Sequence, residues 1–353
     1  MKNKIALLAD LHFGVKKSNK TFLENQLKFY YDEFIPYCKD NDISDVVILG
    51  DVFDNRNSLN SYVLNKVYEL FDTMNELFNI YVLLGNHDIY YSNSLGTHSI
   101  KFLKKFSNIR VFEDIELIDD NGKKFLFVPW IVDREDFRKR VANKNIECDV
   151  CFGHFEINGF ALNNKKICDN GFNSKLFYNN YVKTFTGHFH LRNVRKINNS
   201  EIIYVGSPYE MTRSDSYSEK GFCVLDTNTL EYEFINSQKT MKHIVVEYPN
   251  IPKEEDIKNN HVDLVITIDD EYDSKKNKEI NKYIEKLNSY NPLFPINVSI
   301  NNEKDSTLES NIDDVNINDI GVLLREYVSE LEISNKDEVQ KYLLEKYEEN
   351  KGN

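Results

Sequence analysis

Nine side chains in this sequence, of types that can hold divalent cations or move protons, fall in short motifs that repeat along the chain: Asp10, His12, Asp51, Asp54, Asn86, His87, His154, His188 and His190. A carboxylate offers a hard oxygen and an imidazole a borderline nitrogen. In Asp10-x-His12 the two groups fall on the same side of an extended segment. In Gly50-Asp51 the glycine lets the backbone turn closely, and the carboxylate that follows can bridge two cations if each oxygen serves one. Tyr81-Val-Leu-Leu runs into Gly85-Asn86-His87-Asp88, where three polar groups of different chemistry crowd behind a glycine. Gly153-His154 and Gly187-His188-Phe-His190 repeat the form. Five of the eight histidines lie in these short stretches, a pattern too regular for chance. The mixed nitrogen and oxygen set suits Mn, Fe or Zn better than Ca or Mg.

Each of these stretches needs an element to position it. Ile5–Ala9, Val46–Leu49, Tyr81–Leu84, Asp149–Phe152 and Val182–Thr186 are short apolar runs, which read as strands buried on both faces. Polar residues just past such strands sit where open α/β sheets keep their ligand sites. Amphipathic helices are expected at 20–40, with Phe22, Leu27, Tyr30, Phe34 and Tyr37 on one face, and at about 58–78. Strand, helix, strand at this spacing is the pattern of a layered α/β domain. Residues 96–146 read as support: a helix near 97–106, strands near 109–117 and 124–129, and a charged helix near 133–143. His98, His243 and His261 have no partner spacing and read as ordinary histidines.

A length of 353 residues favours two domains plus a tail. No apolar run approaches a membrane span. The N-terminus runs straight into a strand, without the pattern of a signal peptide, so a cytoplasmic location is expected. Five scattered cysteines fit a reducing compartment, and Cys148-x-x-Cys151, inside a strand, reads as two core residues. The net charge of −13 is uneven: residues 241–353 hold 14 Lys+Arg against 25 Asp+Glu, leaving the front of the chain near neutral. Bulk charge therefore announces no nucleic-acid partner. Metal ions, local patches or another subunit would have to supply the attraction.

Behind residue 240, His243–Tyr248, His261–Ile268 and Ile296–Ile300 read as strands, with a helix at about 274–289. Residues 301–318 read as a polar, flexible linker. Ile320, Leu323, Leu324, Tyr327, Val328 and Leu331 then form an apolar stripe. Ser334-x-x-Asp337 reads as a capping box that opens a second helix. By spacing alone these two helices could fold back on the chain or dock on another protein.

The ordered set Asp-x-His, Gly-Asp-x-x-Asp, Gly-Asn-His-Asp, Gly-His, Gly-His-x-His closely resembles that of the calcineurin-like metallophosphoesterases. It stands here at 10–12, 50–54, 85–88, 153–154 and 187–190. Within that superfamily, Gly206-Ser-Pro-Tyr209, Gly221–Asp226, the small α/β segment and the helical tail resemble the SbcD-like nuclease subunit of double-strand-break repair. Phe152–Gly159 and the overall length resemble its phage recombination endonuclease members. Cellular members commonly carry His where Asp54 stands; the phosphatase branch has Asp.

The resemblance implies a β-sandwich core at 1–240, a capping domain at 241–300 and a partner-binding tail at 319–353. It further implies one metal held by Asp10, His12, Asp51 and His190. Asp51 would bridge to a second, held also by Asn86, His154 and His188. His87 would face the phosphate, oriented by Asp54. The metals would be manganese, the partners DNA and an SMC-like ATPase, and the core a homodimer in the cytoplasm of a host cell. A phosphodiester repels an approaching hydroxide; two cations about 3.5–4 Å apart acidify a shared water and neutralise the phosphoryl oxygens. The activity expected is DNA exonuclease and endonuclease, with a stand-alone phosphatase or cyclic-nucleotide phosphodiesterase as the alternative. A scaffold that has lost its activity is disfavoured, since none of the ligand positions is missing.

Overall fold

The computed structural model describes residues 3–120, 122–142, 148–162, 166–268 and 274–302. Residues 303–353, with both expected tail helices and nearly all of the expected linker, lie outside them. The described residues up to 266, with 274–299, belong to one compact unit.

Two six-stranded sheets make the body of this unit. One contains β1 (Lys4–Leu8), β2 (Asp45–Ile48), β3 (Asn79–Leu83), β4 (Ile109–Phe112), β11 (Gly221–Asp226) and β12 (Tyr232–Asn236), in the order β12-β11-β1-β2-β3-β4. The other contains β5 (Glu116–Asp120), β6 (Lys123–Val128), β7 (Cys148–His154), β8 (Tyr181–Gly187), β9 (Asn193–Ile197) and β10 (Ser200–Tyr204), in the order β5-β6-β7-β8-β10-β9. The central strands are parallel: β1 with β2, β2 with β3, β6 with β7, and β7 with β8.

Alternation within each apolar run sorts the layers. Ile5, Leu7, Val47, Leu83, Phe152 and Phe185 point between the sheets, where Phe112 and Phe127 stack at 4.2 Å. Ala6, Leu8, Val46, Ile48 and Val82 face the helices Lys20–Lys28 and Ser61–Leu77. On the far side of the second sheet, Leu126, Cys151, Ile202 and Tyr204 pack with Phe137, Phe160 and Phe177. The fold is therefore a layered β-sandwich flanked by helices. All five cysteines are free and buried.

Asn19 and Asn60 cap the two helices, accepting hydrogen bonds from the N–H groups of Phe22 (3.0 Å) and Tyr62 (2.9 Å). The first continues through a π-helical segment, Phe29–Phe34, to Asp40. The helix expected near 97–106 is a 3₁₀ turn, Lys101–Lys105. His98 lies ahead of it, buried, with Nε2 2.8 Å from Glu113 Oε1.

A third sheet, β13 (His243–Glu247), β14 (His261–Ile268) and β15 (Asn297–Asn302), follows, with the helix Ser274–Ser289. Its first strand is fastened to the core. His243 N–H donates to Glu210 Oε2 at 2.6 Å, and Met241 N–H to Asn25 Oδ1 at 3.1 Å.

Candidate metal centre

The parallel strands β1, β2, β3, β7 and β8 all deliver their last residues to one end of the sandwich, and the nine predicted residues meet there. Asp10 (φ 54°), His12 (φ 44°), Asp51 (φ 55°) and His188 (φ 89°) all lie in the left-handed backbone region. Non-glycine residues there cost of order 1–3 kcal/mol each and cluster at working sites. Glycine is required beside them. Gly50 has φ 99°, and a Cβ there would stand 2.5 Å from His154 Nδ1; a Cβ on Gly85 would stand 2.1 Å from Asp51 Oδ1.

The donor atoms fall in three sets, one of which, His12, Asp54 and His87, shares His12 with the first of the two groups described next. Those of Asp10, His12 and His190 lie within 4.8 Å of one another, as do those of Asp51, His154 and His188. Asn86 Oδ1 completes the second, 3.0 Å from His154 Nε2 and 2.9 Å from His188 Nδ1. His154 Nδ1 sits 2.7 Å from the Leu49 carbonyl, so Nδ1 carries the proton and Nε2 presents its lone pair.

Asp51 lies between the groups. Its Oδ1 is occupied by the His87 N–H at 2.8 Å. Oδ2 alone faces both sides, 3.6 Å from His12 Nε2 and 3.3 Å from His154 Nε2. This carboxylate therefore stands between the two groups, and it would hold a cation of either one.

Asp54 differs from the sequence expectation. The resemblance implies that it orients His87, and it does meet that ring, but through its backbone carbonyl, 2.6 Å from His87 Nδ1. Its carboxylate lies 3.4 Å from His12 Nδ1, behind the first group. Carboxylate behind histidine is the usual outer arrangement of a metal ligand, and removing such a partner costs about 10- to 100-fold in metal affinity. Asp54→Ala is expected to weaken Mn²⁺ binding at the Asp10, His12, His190 group by that factor, read by calorimetric titration, with the other group unaffected.

These residues fit divalent cations on observations independent of their identity. His190 Nε2 and His12 Nε2 face each other at 3.1 Å, an arrangement that a shared positive centre makes favourable. Asp10 Oδ2, fully buried, has no partner among the described residues. The titration pattern agrees. Burial opposes charge on His12, yet the Asp54 hydrogen bond and the charges of Asp51, Asp54 and Asp10 carry it up to about 9. Burial likewise opposes charge on His154, and Asp51 and Asp10 carry it up to about 9. Burial and the charge on His12 push His190 down to about 3. Burial also holds His188 well below its ordinary value, together with the charge on His154.

Cations entering such a site displace the protons on His12 and His154. Affinity for Mn²⁺ is therefore expected to rise steadily between about pH 6.5 and 8.5. Titrations across that range check it, and a flat profile contradicts it.

Four residues outside the predicted set hold the site together. Asp88, fully buried, accepts N–H bonds from Asp51 (2.9 Å), Gly85 (2.9 Å) and Val52 (3.0 Å), tying the ends of β2 and β3. It stands last in the Gly-Asn-His-Asp stretch, so its position was visible and its role was not. Tyr209 donates to the Leu11 carbonyl at 2.5 Å, alongside Gln26 at 3.1 Å. Lys220, buried, reaches the His190 carbonyl (2.8 Å), Ser207 Oγ (2.9 Å) and Asp215 Oδ1 (2.6 Å). Nothing in the spacing of the sequence singles out Lys220.

Two sheets delivering two groups of His, Asp and Asn donors around one carboxylate define a metallophosphoesterase site. Residues 3–266 match the calcineurin-like phosphoesterase family, and the chain belongs to it. It is a metal-dependent phosphodiesterase.

Among relatives, it is 26% identical over 331 residues to exonuclease subunit 1 of Enterobacteria phage T4, covering 92% of each chain. A protein of Invertebrate iridescent virus 3 whose name proposes a phosphoesterase is 26% identical over 166 residues, 45% of this chain and 46% of the relative. A solved archaeal phosphodiesterase aligns with 66% of this chain and 99% of its own at 14% identity, with a TM-score of 0.36, too low to argue from. No helix among the described residues is long and apolar enough to cross a membrane.

Proposed function

We propose that this chain is a two-metal DNA exonuclease and endonuclease, the nuclease subunit of a repair or recombination complex with an SMC-like ATPase. The observation that carries the reading is the similarity to a phage exonuclease subunit over 92% of both chains, well beyond the metal-binding stretches. The word "subunit" in that relative's name supports a complex, and the SMC-like character of the partner rests on the family resemblance.

Asp10, His12, Asp51 and His190 would hold one cation, and Asp51, Asn86, His154 and His188 the other. Bound, the cations would acidify water and offset phosphoryl charge. The chain's own groups do the rest. The His87 N–H fixes Asp51 Oδ1, which leaves Oδ2 turned toward both groups. The Asp54 carbonyl holds the proton on His87 Nδ1, so the cationic ring would give the leaving oxygen its second proton, the one on Nε2, and be left neutral with the Nδ1 proton in place. We assign residues 1–240 to the nuclease core, 241–300 to a cap that selects DNA shape, and 319–353 to docking on the ATPase. The core is assigned as a homodimer acting in the host cytoplasm, with manganese as its metal.

The test sets an end-labelled linear duplex beside a p-nitrophenyl phosphodiester, both with Mn²⁺. Cleavage of the duplex supports the nuclease. Rapid turnover of the small diester with the duplex intact would move the chain to the phosphatase or cyclic-nucleotide branch, which Asp54 favours. Removing 315–353 should abolish the ATPase complex and spare metal-dependent cleavage of single strands.

A further inference from the structure

Trp130, the only tryptophan in the chain, stands against the second group of donors. Its ring centroid lies 5.2 Å from that of His188 at 45°, and 5.8 Å from that of His154 at 70°. Its backbone N–H donates to the Leu84 carbonyl at 2.7 Å, immediately ahead of Gly85-Asn86. One residue at the end of β6 thus touches two of the donors and is fastened beside the third.

His188 lacks a support that His154 has. Metal-binding imidazoles are usually oriented by a hydrogen bond to the outer ring nitrogen. His154 has the Leu49 carbonyl for this at 2.7 Å, and His12 has the Asp54 carboxylate 3.4 Å from its Nδ1. His188 Nδ1 faces Asn86 Oδ1, and Nε2 meets no side chain or carbonyl among the described residues. Its backbone is held in the left-handed region, at φ 89°. The rings against it are Trp130, His154 at 5.2 Å and its chain neighbour Phe189 at 5.1 Å.

We infer that Trp130 is a positioning residue for the metal held by Asn86, His154 and His188, orienting His188 by packing where a hydrogen bond would ordinarily do so. The same contact makes the indole a reporter: fluorescence should respond to filling of this half of the centre.

The inference rests on the two-metal reading, and the experiment separates the two. Mn²⁺ binding is followed by calorimetry and by tryptophan emission on the full chain, for wild type, Trp130→Phe and Trp130→Ala. Wild type binding fewer than two ions would overturn the two-metal reading itself. With two bound, Trp130→Ala should weaken one event by about 10- to 100-fold and leave the other unchanged, with Trp130→Phe restoring most of the loss. Wild-type emission should fall with that same event, and His188→Ala should abolish the fall while His190→Ala retains it. Unchanged affinity in Trp130→Ala overturns the inference. If that variant does not fold, wild-type emission indifferent to metal overturns it equally.

Discussion

His87→Ala keeps both metals and loses turnover by about 10² to 10⁴, the usual contribution of a positioned acid or base. His87 lies close to the donors, its ligand atom within 4.8 Å of those of His12 and Asp54, but its Nδ1 is already taken. Its Nδ1 is engaged by the Asp54 carbonyl, and its ring lies edge-on to His12 at 4.8 Å. The backbone N–H that fixes Asp51 Oδ1 belongs to the main chain and survives the substitution. Metal stoichiometry and kcat on a small diester check this together. A variant that comes out metal-free would show that the His87 ring is a ligand or holds one in place. An unchanged kcat would show that the leaving oxygen is protonated by another group.

Lys220→Met destabilises the fold by about 3–5 kcal/mol, the usual cost of removing one partner from a buried ion pair. The loss comes from the charge left behind. Asp215 stays buried, having lost the ammonium at 2.6 Å, although the Met211 and Thr212 N–H groups still donate to its other oxygen. The His190 carbonyl and Ser207 hydroxyl lose a donor at the same time. The double variant Lys220→Met, Asp215→Asn should recover much of the loss, because no buried charge remains.

The acid limb of stability follows from the same pair. Burial pushes the Asp215 carboxyl up, but the charge of Lys220, then that of His190 and the Lys220 hydrogen bond hold it below the ordinary carboxylate range. A depressed folded value gives stability that is complete above the unfolded value, near 4, and is lost as pH falls through the folded one. Wild type should therefore weaken below about pH 4 through Asp215, and the double variant should lack that component. Denaturant midpoints across this range decide it. Parallel curves for the two proteins would contradict the assignment.

What could be read ahead of the structure was what repeats. Five apolar runs that end in glycine and polar groups carry both the strand positions and the donor positions, because strand burial and the need for closely turning backbone leave marks at fixed spacing. What could not be read was which atom of each residue faces where. For Asp51, neither the His87 N–H on Oδ1 nor the turn of Oδ2 toward His12 and His154 leaves a mark in the spacing. Asp54 was given to His87, yet its carboxylate turns to His12, and only its carbonyl meets His87. Trp130 and Lys220 reach the site from outside the repeating pattern, by tertiary contact alone, so no spacing announces them. The stretch 97–106 failed as a helix for a local reason: its backbone pairs with Ile89 at His98 before the 3₁₀ turn begins.

If Asp51 links two cation sites, as proposed, electron paramagnetic resonance of the Mn²⁺-loaded chain tests it most directly. Two ions per chain with the multiline spectrum of an exchange-coupled pair are expected, lost in Asp51→Ala. A simple six-line spectrum at full loading, from one ion or from two that do not interact, would contradict it.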